Sequence, residues 1–152
     1  MPDQILIVMK DTIDYSKVPT NYLICLNREC PKAENCLRQL VAEVTPVEVK
    51  QLNIINPKYL SSLKSDCPYY KVPQKIRYAK GFIKMLENMP HKQMLSASRS
   101  LRAHFGRMMY FRVRKGDRLL SPAEQQKLLV IVGRCGVSQP HDFDKYIESY
   151  EW

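Results

Sequence analysis

Apolar positions recur at helical spacing through the second half of the chain and lose that regularity in the first. From Pro73 to Met89, Ile76, Ala79, Ile83 and Leu86 share one face, widened by Phe82, Met85 and Met89, while Arg77, Lys80, Lys84 and Asn88 fall opposite. This period predicts an amphipathic helix stopped by Pro90. His91 to Phe105 repeats it, with Met94, Leu95, Leu101 and Phe105 inward and Lys92, Ser96, Arg99 and Arg102 outward. Between Met109 and Leu120, Phe111 and Val113 alternate with Tyr110, Arg112 and Arg114, and Lys115-Gly116-Asp117 can reverse the chain, which predicts a basic hairpin. A helix running on through Tyr110 fits the same residues, because period alone does not separate the two over so short a run. Ser121-Pro122-Ala123-Glu124 is the strongest local signal: a capping serine, a proline suited to the first helical position, and a glutamate able to reach back. The helix it opens should run to about Cys135, with Gly136 as its stop. Asp142 to Tyr150 predicts a short terminal helix packing through Phe143, Tyr146, Ile147 and Tyr150.

The first half is punctuated by Pro19, Pro31, Pro46, Pro57 and Pro68. Lys32 to Val44 predicts a short helix with Ala33, Leu37, Leu40, Val41 and Val44 at helical spacing, and Val47 to Ile55 a strand ended by Asn56-Pro57. Ile5 to Met9 is a short apolar run preceded by Pro2-Asp3 and followed by Lys10-Asp11, which reads as a strand or docked segment and lacks the layout of a secretory signal. No apolar run approaches the length of a membrane span, so a cytoplasmic location without membrane association is expected. The expected fold class is α+β, mainly helical. A small cysteine-bearing part, residues 1–72, packs on a basic helical part, residues 73–152, in one compact unit.

Composition supports a folded chain, with 45% hydrophobic and 26% charged residues among 152. Charge changes the picture more. Eleven basic residues lie between Arg77 and Arg118, opposed only by Glu87 and Asp117, so this stretch alone carries the +9 of the whole protein. A local positive field attracts polyanions. Two basic-faced helices followed by a hairpin would make a helix-turn-helix with a wing, His91–Phe105 being the groove helix. The residues to contact nucleic acid, DNA or RNA, are Arg77, Lys80, Lys84, Lys92, Arg99, Arg102, Arg112, Arg114 and Lys115. Tyr110 beside Arg112 and Arg114 can alternatively serve a single-strand platform. The plainer reading is a solvated basic surface, or one that docks an acidic protein.

Five cysteines in a chain without secretory features favour thiols or metal over disulfides. Cys25, Cys30, Cys36 and Cys67, spaced C-x4-C-x5-C-x30-C, are the candidate metal ligands; four thiolates suit zinc or an iron–sulfur cluster. The chain lacks the tight C-x2-C pairs of zinc knuckles, so ordinary buried thiols compete evenly with a ligand shell, and redox chemistry is a third reading. Cys135, among Leu128, Ile131 and Val132, reads as core.

The segment Cys25…Cys30-Pro31-Lys32-Ala33-Glu34-Asn35-Cys36-Leu37-Arg38 resembles an uncharacterised family of small cysteine-containing proteins from gut Bacteroidetes, a domain of unknown function. Tyr110-Phe111-Arg112…Gly116…Leu120-Ser121-Pro122-Ala123-Glu124-Gln125 and Phe143-Asp144-Lys145-Tyr146 are similar too. The resemblance spans most of the chain and implies no activity. Catalytic motifs are not found: no Gly-rich phosphate loop, no G-x-S-x-G, no H-E-x-x-H, and His91, His104 and His141 are scattered. The expected function is therefore that of a non-enzymatic nucleic-acid-binding accessory or regulatory protein with a structural metal site. The alternative is a protein-interaction module docking an acidic partner.

Overall fold

The computed structural model describes residues 13–152, so the run Ile5–Met9 lies outside the described residues. The chain divides into two compact units, one formed up to Gln74 together with Glu151 and Trp152, the other by Lys75–Tyr150.

Among the described residues the first unit has little regular structure. Strand β1 (Leu23–Ile24) pairs in parallel with β2 (Asn53–Ile54), and helix α1 (Leu37–Val44) buries Leu37, Leu40 and Val41 from its apolar stripe. The expected helix from Lys32 is thus split. Ala33–Asn35 forms a single 3-10 turn, and Cys36, in extended conformation, separates it from α1. The expected strand at 47–55 is reduced to its end, Asn53–Ile54, with Val47 at 96% exposure among the described residues. Asn56-Pro57 opens rather than closes an element: the Asn56 side chain accepts from the Lys58 N–H at 3.1 Å and Pro57 begins α2 (Pro57–Ser62). Arg38 ties these pieces together. It donates to the Leu23 carbonyl at 2.7 Å and the Tyr69 carbonyl at 2.9 Å, with its guanidinium 5.1 Å from the Tyr22 ring centre.

The second unit carries a two-stranded antiparallel sheet, β3 (Lys75–Lys80) and β4 (Lys145–Tyr150), in register from Lys75↔Tyr150 to Lys80↔Lys145. Leu120 bridges to Ala79 on β3 as well. Four helices complete it: α3 (Ile83–Glu87), α4 (His91–Phe105), α5 (Arg107–Lys115) and α6 (Pro122–Arg134). Phe82, Met85, Leu101, Tyr110, Val113, Leu120, Leu128 and Val132 are fully enclosed in its core. Each of the larger ones contributes about 1.5–3 kcal/mol by leaving water.

Two expectations for this half are corrected, and one choice between alternatives is decided. The helix at 73–89 is a strand, a glycine corner and a short helix. Ile76, Tyr78 and Ala79 pair with a strand some seventy residues away, and Gly81 turns the chain at φ +77°. A Cβ at Gly81 would come within 2.7 Å of Asp144 Oδ2 and 3.2 Å of the Arg114 carbonyl, so only glycine fits. The terminal helix at 142–150 is β4, the partner in that same pairing. Of the two readings at 109–120, hairpin or helix, the structure has the helix, α5, which places Tyr110 and Val113 in the core and stops at Gly116 in the left-handed conformation. Without that hairpin there is no wing at 109–120. Helix α4 keeps its expected bounds, although Leu95, read as inward, is 50% exposed. The capping box is present as expected: Ser121 Oγ accepts from the Glu124 N–H at 3.3 Å, and the Glu124 carboxylate accepts from the Ser121 N–H at 2.9 Å.

Candidate functional site

Two groups of side chains stand out, one in each unit. In the first, Cys25, Cys30, Cys36 and Cys67 all line a single cavity of about 430 Å³. All five cysteines are free thiols, and Cys135 belongs to the other unit. Cys25 and Cys36 are buried, while Cys30 and Cys67 are half-buried. Burial pushes the Cys25 thiol above its ordinary pKa; the Asn27 backbone N–H pulls it down, and Cys36, Cys30 and Cys67 add to the rise. The thiols surround the cavity without closing on a common point. Among the described residues no group of three or more His, Cys, Asp or Glu side chains is assembled that could hold a metal ion.

Residues that the sequence did not single out shape this cavity. Gln39 is buried on the apolar stripe of α1; its amide donates to Cys25 Sγ at 3.3 Å and also to the Asn27 carbonyl. A polar residue on a buried helical face was the available signal, since such a group needs a partner. Lys32 and Arg38 line the same space. Lys32 reaches Asp66 at 3.3 Å and lies 5.0 Å from the Tyr70 ring centre, which joins the Cys30–Cys36 segment to the loop holding Cys67.

In the second unit the nine basic candidates fall on four elements: Arg77 and Lys80 on β3, Lys84 on α3, Lys92, Arg99 and Arg102 on α4, and Arg112, Arg114 and Lys115 on α5. All are exposed except Arg114, which is half-buried with its Nε lacking a hydrogen-bond partner among the described residues. The structure brings some together. The Phe82 N–H donates to the Arg114 carbonyl at 3.1 Å, and a Cβ at Gly116 would meet Lys80 Cγ at 2.6 Å. The end of β3 and the end of α5 therefore meet, gathering Lys80, Arg114 and Lys115. Lys145 joins them directly across the sheet from Lys80.

Other candidates have structural partners. Arg77 stacks on Tyr146 at 3.7 Å, and Arg102 lies 5.3 and 5.7 Å from the ring centres of Tyr110 and Phe111, tying α4 to α5. Lys92 and Arg99 share one exposed face of α4 with Ser96, as expected from their spacing.

Electrostatics reinforce the grouping. Within Lys75–Tyr150 there are fifteen basic and six acidic residues, so this unit holds the +9 of the protein. Among the described residues its one ion pair is Arg118–Glu124, at 2.6 Å. Lys80 facing Lys145 is a like-charged cross-strand pair, which works against the sheet unless an anion lies between. Asp144 is committed elsewhere: its carboxylate accepts from the Ile83 and Lys84 N–H groups at 2.8 and 2.9 Å.

Among the described residues no helix is long and apolar enough to cross a membrane. No curated protein and no solved structure matches the chain. The thiols of the first unit and the cations of the second are thus features of a chain that matches the family of unknown function DUF6078 over residues 9–152, and belongs to it.

Proposed function

We infer that the chain is a non-enzymatic, cytoplasmic accessory or regulatory protein that binds the phosphate backbone of DNA or RNA through the Lys75–Tyr150 unit. The observation that supports this reading is the concentration of charge. The whole net charge of the protein lies in that unit, with one internal ion pair among the described residues to offset it. Phosphates supply the missing counter-charge and release their own condensed cations on binding. The gathered cations at the β3–α5 junction, Lys80, Arg114, Lys115 and Lys145, and the Lys92–Arg99 face of α4 are the contact residues. Contacts from such cations to phosphate position a protein without reading sequence, so binding is backbone-led and sequence-tolerant.

Fluorescence anisotropy with mixed-sequence duplex DNA and single-stranded RNA tests this. Removing two exposed cations in Lys80→Gln/Lys115→Gln should weaken binding about tenfold or more at low salt, uniformly across sequences. Unchanged affinity in that variant would remove the junction from the interface.

One observation favours an acidic protein as the alternative partner. Leu95 on α4 and Met108 on α5 are 50% and 83% exposed on the two most basic helices, which suits apolar anchors ringed by charge. Undetectable nucleic-acid binding at low salt would favour that reading.

A further inference from the structure

We propose that Cys25, Cys30, Cys36 and Cys67 form a structural zinc site that closes when the metal binds. The four thiols come from segments up to 42 residues apart yet line one cavity, and the remaining cysteine of the chain is in the other unit. Chance burial of free thiols gives no reason for this convergence.

Three of the four lie in turns or at a helix start. Cys30 closes one turn, its N–H donating to the Asn27 carbonyl, and opens the next, its carbonyl accepting from Ala33. Cys67 opens a turn to Tyr70, and Cys36 sits at the head of α1 with no side-chain cap in place, so a thiolate there meets the positive end of the helix. The missing C-x2-C knuckle is partly replaced by a donor aimed at Cys25 Sγ, the buried Gln39 amide at 3.3 Å. Donors of this kind support thiolate sulfur once the proton leaves.

Charge balance agrees. Binding Zn²⁺ expels four thiol protons to solvent and leaves the tetrathiolate centre at −2, and the two cations on the cavity, Lys32 and Arg38, offset it. Both also hold the Cys67 loop, Lys32 through Asp66 and Arg38 through the Tyr69 carbonyl, so the outer contacts that would fix the ligands exist before the metal arrives.

Among the described residues the first unit buries the apolar side chains of Ile24, Cys25, Cys36, Leu37, Leu40, Val41 and Ile55, and two of these seven are the thiols themselves.

The test uses the full-length, reduced, metal-stripped protein with zinc chloride or cobalt chloride as the probe. Cobalt should bind at one ion per chain with the visible spectrum of a tetrahedral tetrathiolate, and zinc should displace it. Zinc should slow iodoacetamide alkylation of Cys25, Cys30, Cys36 and Cys67 by at least about tenfold while leaving Cys135 unchanged, mapped by peptide mass without any mutation. Cobalt that stays octahedral, or equal alkylation of all five cysteines with and without zinc, would overturn the proposal. Purification with stoichiometric iron and labile sulfide would overturn the choice of zinc.

Discussion

Arg38→Met removes the guanidinium that holds β1, α1 and the Cys67 loop together while keeping an apolar stem in its place. The half-buried bond to the Leu23 carbonyl, at 2.7 Å, is charge-assisted and contributes about 1.5–2 kcal/mol. The bond to the Tyr69 carbonyl is exposed and contributes about 0.5 kcal/mol, and the contact with Tyr22 about 0.5–1 kcal/mol. Together the loss is about 3 kcal/mol, which raises the population of the open first unit roughly 150-fold. The buried thiols of that unit report this opening directly. In metal-free protein under conditions where reclosing outpaces labelling, Cys25 and Cys36 should react with a thiol reagent about two powers of ten faster in Arg38→Met. Cys135, in the other unit, is the internal reference. Arg38→Lys should fall between, because a single ammonium does not span both carbonyls. An increase below about threefold at Cys25 and Cys36 would refute the assignment of Arg38 as the tie of this unit, since it corresponds to less than about 0.7 kcal/mol.

In the second unit, the Glu124 carboxyl sits below its ordinary range: burial alone would raise it, but the Ser121 N–H and Arg118 outweigh that effect. Its folded pKa lies below its unfolded one, so the stability it contributes is fully present above the unfolded value and is lost as pH falls through the folded one. Glu124→Gln should flatten the acid limb of the unfolding profile below about pH 4.5, measured by denaturant titration at each pH. Ser121→Ala at the same helix start should cost about 1 kcal/mol at neutral pH. Gly116→Ala should destabilise the unit by about 1–2 kcal/mol from its left-handed backbone, and more if Lys80 cannot move away, as read from the denaturation midpoint.

What could be read from sequence followed how local the cause was. The helix from Pro122 was legible to its first residue because Ser121 and Glu124 complete the cap within four positions. Helix α4 was legible because Pro90 and Gly106 bound it. The β3–β4 pairing was not: Ile76, Ala79 and Ile83, and likewise Phe143, Tyr146, Ile147 and Tyr150, also fit a helical period. What decides between helix and strand is a partner about seventy residues away. The aromatic and β-branched content of Ile76, Tyr78, Tyr146, Ile147 and Tyr150 was the cue that favoured strands. Four cysteines were visible as a set, but their convergence on one cavity depends on the loop contacts of Arg38 and Lys32, which no spacing rule encodes. The basic surface was legible in quantity and only partly in place. Arg77 and Arg102 proved to be stacked on aromatic rings, while Lys145 joined the patch through the sheet register.

The most direct test of the nucleic-acid reading is the affinity of the full chain for a mixed-sequence DNA duplex measured over a range of salt concentrations. Roughly five phosphate contacts by the cations of the second unit give a slope of log affinity against log salt of about −4 to −5. Binding that is undetectable at low salt, or that stays level as salt rises, would contradict it.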